Sequence, residues 1–510
     1  MHRASGLALV VSFFAAAPAS AFCGFYVAPG DEPLKNDATM VVMMRDGTRT
    51  VLSMRNDYQG PAEDFAMVVP VPVVLSESDV RTLPAAVFQR VDRLAAPRLV
   101  EYWEQDPCAR ARPAIDDLLN ASLGGGRPRR RARRSGGGLQ VRVEAQFEVG
   151  EYEIVILSAD DSSDLETWLR QEHYRIPRGA AAALRPYVQA GQKFFVARVD
   201  VDRVRFEDGR AVLSPLRIHY DSDTFTLPVR LGMLNSSGTQ DLLVHILSRT
   251  GRFEVANYDN VTIPTNFDVR NRTRTAFGSF YAALFDRTRA THPGAVVTEY
   301  AWASSSCDPC PGPVLTPQDL LTLGADVGVA PVQRRRGRVR SSTGGYVLTR
   351  LHHRYGRGEL GEDLVFRVAG PIQGGREHGG PGAQPASSNN FQGRYAIRHR
   401  WEGPIACANP IRDRWGGPPR GQTAAVQPAV DTAAVSTRGG LERYLTRAAR
   451  DAVPARPRRR RPRSDKQASV LPPAPLRHAA ACAVHPGMES RAGVWALLVA
   501  ALVIYRRTRG

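Results

Sequence analysis

At 510 residues the chain is long enough for two to four domains, and a hydrophobic fraction of 43% can supply a real core. The net charge of +18 invites a nucleic-acid reading, but seventeen positive charges sit in three runs: RPRRRARR (127–134), RRRGRVR (334–340) and RPRRRRPR (456–463). Without them the chain is nearly neutral, no aromatic side chains interleave them for base stacking, and all three lie among Gly, Ser and Pro, so they read as solvated loops or linkers and nucleic acid is not an expected partner.

The first 21 residues have a basic start (Arg3), an apolar stretch and an Ala19-Ser20-Ala21 end, the pattern of a cleaved secretory signal. Phe22, which would precede Cys23, is not small, so a lipoprotein signal is not indicated. Export follows, and with it an oxidising compartment.

From Ala38 the pattern is strand-like, and Asp46-Gly47 between two apolar runs predicts a hairpin. FAMVVPVPVVL predicts a strand that Pro70 and Pro72 confine to a sheet edge or a strand end. LPAAVFQRVDRLAAP predicts a helix with Val87, Val91 and Leu94 on one face, broken by Pro97. A Gly/Arg-rich stretch near 124–138 suggests a split into two subdomains.

LQVRVEAQFEVG and EYEIVILSA then predict two strands around Gly150. Asp160, Asp161 and Asp164 read as capping the helix that follows, and RGAAAALRPYVQAG as a second helix stopped by Gly191. KFFVARVDV, AVLSPLRIHY, FTLPVRLGML and DLLVHILSR predict four strands; TAFGSFYAALFDRTRA predicts a helix and AVVTEYAWAS a strand. TPQDLLTLG predicts a short helix, and GGYVLTRLHHRYG and EDLVFRVAG late strands. Elements come in runs without strict β-α alternation, which predicts an α+β body with mixed, largely antiparallel sheets and a few packed helices. After about Gly416 periodicity fades, apart from a short helical stretch in GLERYLTRAARD, so 416–481 reads as a flexible Pro/Ala/Arg-rich tether.

The chain closes on Ala492–Tyr505, fourteen residues without a charge, followed by Arg506, Arg507 and Arg509. At a rise of about 1.5 Å per residue such a helix is shorter than the roughly 30 Å bilayer core. The arginines fit a cytoplasmic stop, so 482–510 reads as a membrane-inserted segment, at least during export.

Cys23, Cys108, Cys307, Cys310 and Cys407 are disulfide candidates, with one odd member; Cys482 stands apart beside the tail. Cys307-Asp308-Pro309-Cys310 could be a redox couple, half a zinc site or a staple. Prolines 309, 311 and 313 favour the staple. His352 and His353 are candidate zinc partners by chemistry alone, and neighbours on a strand point to opposite faces. No metal or cofactor is expected, and no motif for a catalytic zinc, serine nucleophile or phosphate loop occurs, so catalytic residues stay unassigned. Two function classes remain: a binding or structural component of the envelope, or an extracytoplasmic enzyme (a hydrolase or a thiol oxidoreductase) with a non-local site.

FCGFYV, DGTRTVLSMRNDYQGPAEDFAMVVPVP, YEIVILSADDSSDLETWLRQEHYRIP, CDPCPGP and LTRLHHRYGRGELGEDLVFR resemble the bacterial exported family called domain of unknown function 2330, over roughly residues 22–415. The family implies no established activity or catalytic residue. The tail, with Cys482, its apolar helix and Arg506, Arg507 and Arg509, resembles the myxobacterial C-terminal sorting tag written MYXO-CTERM, although Ala481 and Ala483 replace the usual glycine beside the cysteine. That resemblance implies export and sorting proteases as partners, cleavage near Cys482 and display at the outer surface; uncleaved, the tail would be a membrane anchor.

Overall fold

The computed structural model of the protein describes residues 25–27, 35–36, 39–55, 58–59, 66–108, 141–172, 174, 176, 179–207, 210–235, 239–328, 333–335, 338–340, 345–356, 359–376, 380–419, 426–429 and 440–453. All lie within one compact unit that ends at Pro457.

The hairpin forms as the sequence predicts. Strands Thr39–Asp46 and Arg49–Arg55 pair antiparallel. Gly47 adopts φ +59° at the turn, a conformation that costs glycine nothing. Val41 and Met43 enter one core, while Met40, Val42 and Met44 enter another on the opposite face. A strand apolar on both faces belongs in the middle of a covered sheet. The hairpin indeed lies inside an eleven-stranded mixed sheet, with strands paired on both sides of it. Leu216–Asp221 and Val80–Thr82 extend it on one side. On the other side Gln240–Ser248 pairs parallel to Thr39–Asp46, followed by Val347–Tyr355, Val296–Ala303 and Asn390–Gln392.

A five-stranded sheet stacks on one face of it, with Met67, Val69, Ile154, Ile156 and Phe195 meeting Val41, Leu52, Ile218, Val244 and Leu351. Helices Ser162–Gln171 and Ala180–Gln189 cover the outer side of that second sheet through Leu165, Leu169, Leu184 and Tyr187. Helix Ala85–Ala95 covers the far face of the large sheet with Val87, Phe88, Val91 and Leu94. A third sheet is built on the parallel pair Arg98–Glu104 and Arg394–His399 and packs on helix Phe277–Thr291 through Leu99, Tyr395 and Ile397. The architecture is α+β with mixed, mainly antiparallel sheets.

Several expectations need correction. No split falls at 124–138: Ala66–Val71 pairs with Phe25–Val27 on one side and Lys193–Val199 on the other, so chain from both sides of that stretch shares one sheet. The same pairing makes Ala66–Val71 an interior strand, so of the two places its prolines allow, a sheet edge or a strand end, the structure takes the strand end. Pro70 is tolerated because Phe25–Val27 pairs only as far as Val68, leaving the proline a partner on one side alone. FTLPVRLGML forms a two-residue strand and then a short 3-10 turn at Arg230–Asn235. The arginine run at 334–340 falls largely in a small hairpin of Gln333–Arg335 and Arg338–Arg340. The body also continues past 416. Val426–Pro428 pairs with Arg98–Glu104, and Leu441, Tyr444, Leu445, Ala449 and Val453 join the core around helix Phe277–Thr291.

Candidate functional site

Two groups of polar side chains lie where an apolar interior would be expected. The first is a buried chain of charges. In strand Val296–Ala303 the register slips between Thr298 and Tyr300, so Glu299 is the extra residue of a bulge. Its carboxylate accepts from Arg350 Nε at 2.7 Å and from His352 Nδ1 at 2.7 Å, and Tyr281 donates its hydroxyl to it. His352 Nε2 lies 2.9 Å from Asp241 Oδ1, which also accepts from Arg354 Nε at 2.6 Å. Arg350 continues to Asp92 and Arg354 to Asp286.

Burial alone would suppress charge on His352, but Glu299 and Asp241 on its two nitrogens raise its pKa above the ordinary value. Burial would raise Glu299, yet His352 and Arg350 hold it below the usual carboxylate range. Phe285 stacks on the His352 ring at 3.7 Å and seals it from solvent. Only Arg350 Nη2 of this group is buried without a hydrogen-bond partner among the described residues, and the ion pairs around it make a sealed structural network rather than a place where a substrate could enter.

His353 points the other way, against Tyr355 and Tyr258. Burial, followed by the charges of Arg289 and His352, pushes it down to about 4. A histidine held neutral in the fold but protonated in the unfolded chain destabilises as pH falls. The loss begins below the ordinary value of 6.5 and levels off below about 4. His353→Phe should therefore flatten that limb, gaining on the order of 3 kcal/mol relative to wild type between pH 7 and pH 4. Denaturant titrations at the two pH values check it; parallel losses in both proteins would refute it.

The second group surrounds a pocket of about 620 Å³ lined by Tyr102, Asp308, Pro309, Arg376, Gln384 and Arg394, with Gln373 and three glycines. Strands Arg98–Glu104 and Arg394–His399 run parallel with Arg98 opposite Arg394 and Tyr102 opposite Arg398. Alternation therefore puts Arg98, Tyr102, Arg394 and Arg398 on one face, while Leu99 and Tyr395 enter the core.

The loop of Cys307–Cys310 forms the opposite wall, and its Asp308–Pro309 peptide is cis. Arg98 Nη1 donates to Pro309 O at 2.8 Å, and Gln392 Nε2 donates to Asp308 O at 2.6 Å and Gly375 O at 3.0 Å. Gly375 cannot carry a side chain: at φ +72° a Cβ would lie 1.9 Å from Gln392 O. Exposed Arg376 reaches Asp308 Oδ2 at 3.2 Å across the mouth.

The cysteines resolve as Cys108–Cys407 and Cys307–Cys310 disulfides. The pairing of Cys307 with Cys310 removes both as thiolate ligands, and among the described residues no group of three or more His, Cys, Asp or Glu is placed to hold a metal ion. Asp161 caps its helix, accepting from Ser163 N at 2.7 Å. Cys23, Cys482, Arg506, Arg507 and Arg509 lie outside the described residues, as does the apolar run 492–505. Among the described residues no helix is long and apolar enough to cross a membrane. Sequence reading missed Tyr102, Arg376, Arg394, Glu299 and Asp241. No local signal singled them out: in RYAIRHR the arginines alternate with Tyr395 and Ile397, as they do in a strand with one solvated face.

The family model for domain of unknown function 2330, an uncharacterized protein conserved in bacteria, matches residues 17–367, more than half of the chain. The chain belongs to this family. The match includes Tyr102 and the Cys307–Cys310 loop and stops short of Gln373–Arg394, so the pocket is completed by chain beyond the matched span, which itself ends well before 415. No curated protein and no solved structure matches the chain.

Proposed function

We propose that this is an exported envelope protein whose body binds a small organic ligand in the pocket walled by the Cys307–Cys310 loop. The observation that carries this reading is the way the wall is held. A disulfide closes the loop, and two buried side chains, Arg98 and Gln392, grip consecutive carbonyls at Pro309 and Asp308. A wall fixed before the ligand arrives lowers the ordering cost of binding. The volume, about 620 Å³, suits a small molecule rather than a protein segment. The described lining is a recognition set of guanidinium, amide and phenol groups, with Asp308 its single carboxylate. That composition favours binding over acid–base catalysis, which commonly pairs two titratable groups.

Two disulfides fit an oxidising compartment, as the signal-like N-terminus implies. The tag-like C-terminus supports processing near Cys482 and retention at the outer surface. Intact-mass analysis of protein extracted from the cell surface should find Phe22 at the start and nothing beyond the neighbourhood of Cys482. A surface form still carrying Trp495 and Arg509 would leave a plain tail anchor. Thermal-shift screening of the dialysed protein at millimolar concentrations of neutral sugars, organic acids and sugar phosphates tests the binding reading, which fails if none raises the midpoint.

A further inference from the structure

Four arginines are almost wholly buried: Arg98, Arg217, Arg350 and Arg394. Arg217 pairs with Asp326 at 2.9 Å, and Arg350 with Glu299 and Asp92. Arg98 and Arg394 reach no carboxylate among the described residues. Among the described residues the Arg98 guanidinium bonds only to carbonyl oxygens, those of Pro309, Leu94 and Ala96. Arg394 donates from Nη1 to Asn266 Oδ1 at 2.7 Å and from Nε to the Tyr102 hydroxyl at 3.2 Å, both neutral groups. Its Nη2 is buried with no hydrogen-bond partner among the described residues. Both uncompensated guanidinium groups belong to one place, since Arg394 lines the pocket and Arg98 holds Pro309 in its wall. A buried charge left without a counter-ion is strongly unfavourable, and Arg394, which itself lines the pocket and keeps Nη2 without a partner, marks the place where an anion would supply one.

We propose that the pocket binds a hydroxylated organic anion, with its carboxylate or phosphate group on Arg394. This rests on the reading of the pocket as a binding site and adds the ligand's charge and chemistry. The guanidinium plane of Arg394 is fixed on two edges by Asn266 and Tyr102, which leaves Nη2 free to donate to an oxyanion. The Tyr102 hydroxyl spends a lone pair on Arg394 Nε, so its own hydrogen remains to give to the same oxyanion. The Tyr102 ring is flanked by the Arg394 and Arg398 guanidinium groups at 4.9 and 5.8 Å, which holds the phenol in position. Arg376 adds a second cation at the mouth, half-neutralised by Asp308. A pocket of about 620 Å³ is far larger than one phosphate or carboxylate group. The remainder of the ligand faces the Gln373 and Gln384 amides and Asp308, partners for hydroxyl groups. A sugar acid or a sugar phosphate meets these demands.

Isothermal titration calorimetry on the purified full chain tests this with glucuronate, glucose 1-phosphate, inorganic phosphate and neutral glucose as probes. At least one anionic sugar should bind about tenfold or more tightly than glucose, since a charge-assisted hydrogen bond contributes roughly 1.5–3 kcal/mol. The stronger of glucuronate and glucose 1-phosphate names the headgroup, and inorganic phosphate alone should bind more weakly than the sugar that carries it. Arg394→Gln should lose about ten- to a hundredfold in affinity for the anion and little for glucose. Should Arg394→Gln fail to fold, Tyr102→Phe keeps the ring and its stacking and removes only the donor; it should weaken the anion several-fold. Equal binding of glucose and the anions, or anion affinity unchanged in Tyr102→Phe, overturns the proposal while the binding reading stands. No heat with any probe, alongside a silent thermal-shift screen, overturns both.

Discussion

Glu299→Gln should lower the unfolding free energy by roughly 3–5 kcal/mol, the range for breaking a buried ion pair from one side. The substitution keeps the volume and removes the charge. Arg350, which has no exposed surface, would keep Asp92 alone as a charged partner, and His352 would keep Asp241. Against the 5–15 kcal/mol typical of a folded domain, the loss should show as a large drop in soluble yield as well as in the denaturant midpoint. The surface pair Arg49–Asp221 at 2.8 Å is the control. Arg49→Ala should change stability by no more than about 1 kcal/mol, because water screens an exposed pair. Chemical denaturation of the two variants side by side decides the matter, and a Glu299→Gln loss no larger than the control would mean the network is not a structural keystone.

The same network has a signed pH dependence. His352 is raised in the fold, so its contribution is complete below its ordinary value of 6.5 and is lost as pH rises through the raised folded value. His353 acts in the opposite sense on the acid side. Adjacent residues on one strand thus set opposite limbs of the stability profile, because strand alternation turns one toward carboxylates and the other toward apolar rings.

What the sequence disclosed was local. Asp46-Gly47 marks a turn because the hairpin needs positive φ there, and Val87, Val91 and Leu94 mark a helix face because their spacing follows its period. Asp161 caps a helix through its own near neighbour, Ser163. What the sequence concealed was set by distant partners. Arg98–Glu104 becomes a strand beside Arg394–His399, a pairing across nearly the whole body that no short-range pattern announces. Glu299 looks like an ordinary polar position in AVVTEYAWAS until a bulge turns it inward. The arginines of the pocket were hidden by composition, since in a chain with so many arginines a strand such as RYAIRHR looks solvated. GLERYLTRAARD stood out as a helical stretch inside a Pro/Ala/Arg-rich segment, but nothing local shows that its Leu441, Tyr444 and Leu445 pack on helix Phe277–Thr291.

The two disulfides should separate stability from binding. Cys108 and Cys407 are 299 residues apart in sequence, whereas Cys307 and Cys310 are separated by 3. In the chain-entropy picture a cross-link stabilises by restricting the unfolded chain, more so for longer loops, and the long bridge comes out at about 6 kcal/mol against about 2 for the short one. Contacts around the long bridge add to this. Cys108 follows strand Arg98–Glu104 and Cys407 lies in the loop after Arg394–His399. The buried carboxylate of Glu104 holds the same loop by accepting from Trp401 N at 3.0 Å and Asp413 N at 2.9 Å. Replacing Cys108 and Cys407 together by Ala should cost roughly 2–5 kcal/mol, read from denaturant titration without reductant. Replacing Cys307 and Cys310 together should cost under about 2 kcal/mol, while loosening the Asp308 and Pro309 carbonyls that Gln392 and Arg98 hold. That second variant should therefore fold nearly normally and bind pocket ligands more weakly. If the short bridge proves the more stabilising of the two, its loop is a folding element and the division between a stapled scaffold and a stapled binding wall is wrong.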